Sequence, residues 1–401
     1  MTSSTPHSRI TAIDTLRGFA LLGILTMNIA SFSMPEAAYL NPMAYGGTDA
    51  LNLTVHGFQA ILADQKFMAL FSMLFGAGLI LLVDKLDATG RSPLKIHYSR
   101  NVWLLAFGIG HTLLWEGDVL MIYALCAFVL YLFRGLTAKT QIIAGVCVYL
   151  LPVLVSLLFA NDLLGAADLN NFFSPTQQQL DAEIAAFQQG LSDETYMPEF
   201  TDPVLLAVFL LLLEAFLRAF GMMLIGMGLF RLGVLSAKAS PAFYRNMMIF
   251  GFGIGIPLAA LGLAYNYTQG WRADFLVVYG RQPNHFAALF LAAGYVGLIM
   301  TWTMTRFLQP LQSALADVGQ MALTNYIGQT VIATCIFYWY GLGLFGTFDR
   351  IAQMGVVLSI WLFQIGLSVL WLKHFKYGPL EWLWRSLTYM RLQPLLRSQS
   401  A

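Results

Sequence analysis

Ten apolar stretches constrain this chain more than any other feature. A transmembrane helix needs about 20 mostly apolar residues. Only 11% of the 401 residues are charged, whereas a soluble domain carries about 25%. The sequence therefore predicts an all-α, polytopic membrane protein with about ten transmembrane helices. The predicted spans cover 11–32, 64–83, 101–116, 118–134, 141–160, 203–233, 245–265, 284–305, 321–345 and 351–373.

The apolar stretches divide the chain into two halves of five spans within one integral membrane domain, 1–401. The N-terminal half covers 1–160 and the C-terminal half covers 203–401. Between them lies an external acidic loop, 161–202, with eight carboxylates and no Lys or Arg. The amphipathic, basic and Trp-rich segment 376–397 is typical of a helix that lies on the cytoplasmic membrane surface.

The distribution of basic residues predicts the orientation of the chain. An even number of spans places both termini on one side. Most of the 22 Lys and Arg residues fall in loops on that side, and only Lys66, Arg272, Arg281 and Arg350 fall on the other. Cytoplasmic loops carry the excess of Lys and Arg. We therefore expect both termini in the cytoplasm.

The overall charge and the cysteines exclude several classes of function. A formal net charge of +1 gives no general surface for nucleic acid. The three cysteines all lie in apolar runs, where a small buried side chain is the ordinary role. No group of His, Cys, Asp or Glu residues has the spacing of a metal site, so no metal is expected.

The turn between the third and fourth spans carries the most informative motif. His111 and Asp118 flank the short turn that contains Trp115, Glu116 and Gly117 and joins two antiparallel helices. Asp118 is expected to reach back to His111, fix the tautomer of the ring and make its other nitrogen more basic. Two interpretations stay open, a structural hydrogen bond between helices and an acid–base pair at a membrane face.

Three charged or amide residues of the first span are candidates. Asp14 and Arg17 are three residues apart and predict an ion pair on one helical face. The pair either fixes the start of the helix or lets Arg17 bind a phosphate-bearing ligand. Asn28 lies about three turns further along the same face. It either caps a neighbouring helix or binds a substrate carbonyl group.

Five more polar residues in or near the spans are candidates. His56 precedes the second span on the external side. Glu214 and Arg218 predict an intramembrane ion pair by their spacing of four residues, and Arg218 is a ligand for phosphate or carboxylate if it turns inward. Asn325 and Gln329 lie one turn apart at the start of the ninth span and are expected to line a cavity.

Several stretches together resemble the YeiB family of bacterial inner-membrane proteins. They are Ile13–Ile24 with Asn28, Lys66–Gly78, His111–Tyr123, Gly319–Tyr326 and Gly378–Arg385. The likeness covers nearly the whole chain. That family groups with transmembrane acyltransferases, among them heparan-alpha-glucosaminide N-acetyltransferase. The resemblance implies that 1–160 is the acyltransferase-like half and that the protein lies in a bacterial inner membrane.

The resemblance also implies a reaction. An acyl group, such as acetyl, would pass from cytoplasmic acyl-CoA to a sugar or glycolipid acceptor on the periplasmic side. His111, oriented by Asp118, is the expected general base, with His56 as the rival histidine and Asn28 as the group that polarises the thioester carbonyl. Arg17 with Arg218 or Arg245 would bind the phosphates of CoA.

Two other classes of function stay open at this point, along with assembly as a homodimer. Ten spans with paired intramembrane charges also suit a small-molecule or lipid transporter or flippase, although no internal repeat is visible in the sequence. A membrane scaffold without chemistry is the third class, and it predicts that His111 and Asp118 are packed away from any cavity.

Overall fold

The structure is a bundle of helices. The computed structural model describes residues 11–190 and 201–397, and within them it contains helices, loops and one isolated β-bridge, between Phe375 and Leu396. In these residues the α-helices are α1 Thr11–Ser33, α2 Ala37–Leu40, α3 Ala50–Phe58, α4 Lys66–Ala88, α5 Pro93–Thr112, α6 Leu120–Leu130, α7 Ala138–Leu158, α8 Ala160–Leu163, α9 Ala167–Phe173, α10 Gln177–Gln189, α11 Asp202–Arg231, α12 Pro241–Thr268, α13 Ala273–Phe275, α14 Gln282–Thr303, α15 Gln309–Gln320, α16 Ala322–Phe337, α17 Arg350–His374 and α18 Pro379–Thr388.

Seven of the described helical segments are long and apolar enough to cross a membrane. They are α1, α3–α4, α7, α11, α12, α14 and α17. The predicted class, an all-α multi-pass membrane protein, is confirmed. Each of the other predicted spans also coincides with a helix, since α5, α6 and α16 lie within or across the third, fourth and ninth stretches.

One helix boundary differs from the prediction in a way that affects the site. α5 begins at Pro93, eight residues before the predicted span, so a polar segment that was assigned to a loop is helical. The predicted ninth span begins at 321, beside the first residue of α16, and a separate helix precedes it. The amphipathic helix α15 ends at Gln320, and α16 begins at Ala322. The amphipathic pattern of α15 is too short and polar to register as a span.

The side on which α1 begins is called the N-face, and the side on which α1 ends is called the opposite face. The first turns of α1 and the helix α18 lie together, because Arg17 and Arg385 line one cavity. Both ends of the described chain are therefore on the N-face. The loops between α3 and α4 and between α12 and α14 are on the opposite face.

Close crossings at glycines hold the central helices together. A Cβ on Gly18 would lie 1.9 Å from the Leu315 carbonyl oxygen, and one on Gly319 would lie 2.0 Å from the Asp14 carbonyl oxygen. α1 and α15 thus touch backbone to backbone. α4 and α11 cross in the same way at Gly76 and Gly226. Small residues permit such crossings between membrane helices.

The segment that was predicted to be an acidic loop contains the short helix α10. α10 is preceded by Thr176, which forms a capping box with Gln179. Phe187 stacks on Phe345 with ring centroids 4.3 Å apart, so α10 covers the loop between α16 and α17. Residues 191–200 of the predicted acidic loop lie outside the described residues.

Candidate functional site

His111 and Asp118 form the hydrogen bond that their spacing predicts. His111 Nδ1 lies 2.7 Å from Asp118 Oδ1, and both side chains are almost completely buried. Asp118 also accepts hydrogen bonds from the backbone N–H groups of Leu120 and Met121, at 3.0 and 2.8 Å. The carboxylate therefore caps the N-terminus of α6 while it orients the histidine.

The second ring nitrogen of His111 has a partner from a distant part of the chain. His111 Nε2 lies 2.8 Å from the hydroxyl oxygen of Thr330 in α16. An ionised carboxylate only accepts hydrogen bonds, so Nδ1 carries the proton and Nε2 accepts one from Thr330. The buried imidazole is thereby arranged with its basic nitrogen toward a hydroxyl group.

Aromatic rings surround this pair. The ring of Tyr326 lies 5.2 Å from the ring of His111, and its hydroxyl accepts a hydrogen bond of 3.4 Å from Val119 N–H. Trp115 lies 6.2 Å from His111 and packs on Phe32 at 4.2 Å. Trp115 and Phe32 cover the pair from the opposite face, and Tyr326 separates it from the N-face.

A cavity of about 240 Å³ extends inward from the N-face to this wall. We call it the N-face cavity. Its inner end is formed by Val119, Leu120 and Tyr326, which directly adjoin His111 and Asp118. The walls between come from α4, whose lining residues are apolar, and from α5, which contributes a mostly polar face. The cavity thus connects one membrane face with the surroundings of the buried His–carboxylate pair at this turn.

The mouth of the N-face cavity is basic and aromatic. It carries Arg17, Arg100, Lys376 and Arg385. The Arg100 guanidinium lies 3.9 Å from the centroid of the Trp384 ring, and Arg385 lies 4.5 Å from that of Tyr377. Such stacking fixes the guanidinium groups and leaves their N–H groups able to bind anions.

Glu381 joins the first turn of α16 to α18 at this mouth. Its carboxylate accepts hydrogen bonds from Leu323 N–H, Thr324 N–H and the Thr324 hydroxyl, at 2.6, 3.1 and 2.6 Å. It therefore caps the N-terminus of α16, where the helix dipole favours a negative charge. Burial raises the pKa of Glu381 above its ordinary value. The cap fixes α18 over the cavity.

Sequence reasoning missed a polar face of α5 that lines the N-face cavity. His97, Arg100 and Asn101 recur at spacings of three and four residues. His97 Nε2 lies 2.9 Å from the Ala127 carbonyl oxygen, and Asn101 lies beside the same ring. The helical spacing is visible in the sequence, but the predicted span began at 101, so His97 and Arg100 lay outside it.

The first-span candidates occupy different environments. Arg17 lines the N-face cavity and pairs with Asp14, whose Oδ1 lies 2.9 Å from Arg17 Nη1. Asp14 is buried behind it. Asn28 is half-buried in the later turns of α1 and does not line the N-face cavity. Of the three, the structure brings only Arg17 to this cavity, with Asp14 supporting it.

The structure does not bring the other two predicted phosphate ligands to Arg17. Arg218 pairs with Glu214 at 3.1 Å, as its spacing predicts, but Glu214 is also 3.4 Å from Arg281, which lies toward the opposite face. Arg245 is exposed near the start of α12. The prediction that either residue joins Arg17 is therefore corrected, because the helices α5 and α18 supply the neighbouring cations instead.

Asn325 and Gln329 were expected to line a cavity, but they do not line the N-face cavity. Both are buried between α16 and α17. Asn325 donates to the Ser368 hydroxyl at 2.9 Å, and Gln329 donates to the Gln364 side chain at 3.0 Å. They join two helices, since a buried amide needs partners. The face of α16 that meets the cavity carries Tyr326 instead.

His56, the rival histidine, lies in a second cavity on the opposite face, about 100 Å³ in volume. Its ring packs against Trp271 with centroids 5.7 Å apart. No residue lines both cavities. His56 and His111 therefore do not belong to one site in this structure.

The chain is similar to known bacterial proteins along nearly its whole length. A family model described as a protein of unknown function (DUF418) matches residues 229–391. The uncharacterized protein YeiB of Escherichia coli is 35% identical over 98% of this chain and 99% of its own length. The uncharacterized protein YxaH of Bacillus subtilis is 32% identical over 98% of this chain and 97% of its own length. No solved structure matches.

Proposed function

This chain belongs to the YeiB-like family, and we propose that it is a membrane-bound acyltransferase that takes its acyl group from acyl-CoA. The acceptor is a sugar or glycolipid on the other side of the membrane. The observation that carries the proposal is the N-face cavity, whose basic mouth leads to the wall beside His111 and Asp118.

The proposal includes an orientation. The N-face is cytoplasmic and the membrane is the bacterial inner membrane. The excess of Lys and Arg in the N-face loops supports this placement. The cytoplasm is also the compartment that supplies acyl-CoA, so the basic mouth opens toward the donor.

The chemistry of the cavity suits the parts of acyl-CoA. The phosphates meet Arg100, Lys376 and Arg385, which provide charge and directed N–H groups. The thin, largely apolar pantetheine arm extends between α4 and α5. The thioester then comes to the inner end of the cavity at Tyr326. Arg17 is the cation that α1 contributes to this mouth.

His111 then acts as a general base. Its Nε2 takes the proton of an acceptor hydroxyl, whose oxygen attacks the thioester carbonyl carbon. The C–S bond breaks, and the CoA thiolate leaves with the proton that His111 returns. Asp118 stabilises the imidazolium that forms in between and holds its Nδ1–H. The acceptor hydroxyl replaces that of Thr330 at Nε2.

Two aromatic side chains control access to His111. Tyr326 must turn aside for the thioester to approach from the N-face, and Trp115 must move for an acceptor to enter from the opposite face. While the acceptor is absent, Trp115 in its closed position keeps water from the bound thioester.

A transporter or flippase is the second candidate. The existence of a cavity at each face supports it. In that case His111 and Asp118 would be part of a gate, and acyl-CoA would bind without losing its acyl group.

Transfer of label separates the two functions. Purified protein in nanodiscs is given acetyl-CoA labelled in the acetyl group, with free sugars or lipid-linked sugars as acceptors. We expect label in the acceptor, and we expect His111→Gln to reduce transfer by a factor of about 100 to 10,000. His374→Gln, at an exposed histidine of α17, is the matched control. Full transfer by His111→Gln would refute the assigned role.

A further inference from the structure

The cavity on the opposite face has the features of a second binding site. We call it the His56 cavity. It lies among α1, α3, α12 and the start of α17, in a volume of about 100 Å³. Its lining includes Tyr39, His56, Gln65, Asn266, Trp271, Arg281 and Arg350.

Unpartnered polar atoms are concentrated around this cavity. Ten buried side-chain nitrogen and oxygen atoms of the described residues have no hydrogen-bond partner. Six of them belong to residues that line the His56 cavity: His56 Nε2, Gln65 Oε1, Asn266 Oδ1, Trp271 Nε1, Arg281 Nε and Arg350 Nε. Buried polar groups are ordinarily paired, because each unpaired one costs about 1–3 kcal/mol. The lining therefore offers both donors and acceptors to a ligand.

Arg350 indicates that the ligand is negatively charged. Its side chain is 1% exposed. It donates only to the backbone carbonyl oxygens of Ala38 and Tyr45, both at 3.1 Å, and no described carboxylate forms an ion pair with it. A buried charge without a counter-charge is strongly unfavourable. Water can satisfy the N–H group, but only an anion balances the charge.

The other charges near the cavity do not compensate Arg350. Asp64 is held by Asn284 and Tyr39, at 2.7 and 3.3 Å, and Asn284 also bonds Lys66. Glu214 is shared between Arg218 and Arg281. The four cations Lys66, Arg218, Arg281 and Arg350 therefore lie near two carboxylates, Asp64 and Glu214. This region has an excess of positive charge.

The backbone around the cavity is also unusual. Two π-helical segments, Gln59–Ala63 and Leu276–Gly280, border it. Gln65 and Trp271 both adopt a left-handed backbone, with φ of 67° and 56°. Such conformations cost energy in residues other than glycine, and π segments are frequent at functional sites. Gln65 and Trp271 both line the cavity, and each carries an unpaired polar atom.

We propose that the His56 cavity binds a small carboxylate that also carries hydroxyl groups, which enters from the opposite face. The carboxylate pairs with Arg350 and the Trp271 N–H group. Its hydroxyl groups donate to the side-chain oxygens of Asn266 and Gln65, and His56 Nε2 completes the set. The site is separate from the N-face cavity and does not depend on the proposed acyl transfer.

Binding of glycerate to the full-length protein in nanodiscs tests this proposal. Titration calorimetry is expected to show saturable binding of glycerate and none of glycerol, which has the same hydroxyl groups without the charge. Arg350→Gln is expected to weaken binding about tenfold or more, since it removes the counter-charge. Arg306→Gln, which removes an exposed cation from the N-face, should leave glycerate binding unchanged.

A second variant keeps the test valid if Arg350→Gln fails to fold. Trp271→Phe retains the ring against His56 but removes the N–H group, and we expect a few-fold loss of glycerate affinity. The proposal is overturned if glycolate, lactate and glycerate all fail to bind, or if glycerol binds equally. Binding of inorganic phosphate without glycerate would overturn the assignment to a carboxylate. Unchanged glycerate affinity in Trp271→Phe would also contradict it.

Discussion

At the scale of single residues, Asp118 combines a structural and a chemical role. It caps α6 through two backbone N–H groups and holds His111 Nδ1 with the same carboxylate. The sequence predicted the His111–Asp118 contact, because seven residues of a helical hairpin restrict where the two side chains can lie. It could not predict Thr330, which lies 219 residues away and meets His111 only after α16 packs.

The two roles of Asp118 can be separated by substitution. Asp118→Ala removes the cap and leaves Nδ1 of buried His111 without a partner, so we expect a loss of about 1–3 kcal/mol in stability. Asp118→Asn keeps one oxygen that accepts a backbone hydrogen bond while its NH2 group replaces the other acceptor, so it should lose less stability than Asp118→Ala and still lose most acyl transfer. Thermal unfolding and label transfer check this pair, with Glu116→Gln at the exposed turn as control. Equal unfolding temperatures for Asp118→Ala and wild type would contradict the capping role.

At the scale of elements, the break between α15 and α16 shapes the N-face cavity. Gly319 lets α15 contact α1, Glu381 caps the new N-terminus of α16, and both residues line the mouth. Helices interrupted within the membrane commonly form binding sites, because they offer a helix end to a ligand. The apolar pattern placed the start of the ninth span at 321, beside the first residue of α16. It did not predict α15, because that helix is short and amphipathic.

The α1–α15 crossing gives a direct test of this packing. Gly319→Ala would place a Cβ 2.0 Å from the Asp14 carbonyl oxygen. The backbones must separate, at a cost of about 1–3 kcal/mol or more. Gly366→Ala in α17 is the control, since nothing lies within 4 Å of its Cβ. We expect a lower unfolding temperature for Gly319→Ala alone, and similar values for both variants would refute the close contact.

The free energy of unfolding is expected to depend on pH through Glu183 of α10. Burial, with the charges of Glu36 and Glu116, raises the pKa of Glu183 to about 7. The folded protein therefore keeps this proton to a higher pH than the unfolded chain, whose carboxyl has a pKa near 4.5. Stability should fall as pH rises from about 4.5 to about 7, by at most about 3 kcal/mol from this group.

Glu183→Gln isolates this effect. The neutral amide can still accept the hydrogen bond from Glu36 N–H, which is 2.9 Å long in the native protein. We expect the variant to lose the fall in unfolding temperature between about pH 5 and pH 7. Asp181→Asn, at an exposed position of the same helix, should keep it. An unchanged pH profile in Glu183→Gln would assign the response to other groups.

At the scale of the whole molecule, the helices place two cavities at opposite ends of α1. The sequence alone predicted the membrane class and the approximate positions of the spans, because a long apolar run can be recognised without knowing which helices pack together. The stretches Ile13–Ile24, Gly319–Tyr326 and Gly378–Arg385 meet only in the structure, around the N-face cavity. The grouping of Arg17 with Arg100 and Arg385 follows from packing between distant helices. No spacing in the sequence reports it.

The proposed orientation predicts which loops a reagent reaches from outside the cell. After replacement of the three native cysteines, Thr268→Cys at the end of α12 should react with a membrane-impermeant maleimide in intact cells. Lys238→Cys in the loop before α12 should react only after the cells are opened. The reverse pattern would place the N-face, and with it the basic mouth, outside the cytoplasm.

The central claim is that acyl-CoA occupies the N-face cavity, and equilibrium binding of labelled acetyl-CoA to the purified protein tests it most directly. The double variant Arg100→Gln with Arg385→Gln removes two cations from the mouth, and each charge-assisted contact contributes about 1.5–3 kcal/mol. We expect saturable binding to the native protein and a loss of about 100-fold or more in the double variant. Arg306→Gln should bind as the native protein does. Absence of saturable binding, or equal affinity in the double variant, would show that acyl-CoA does not bind at this mouth.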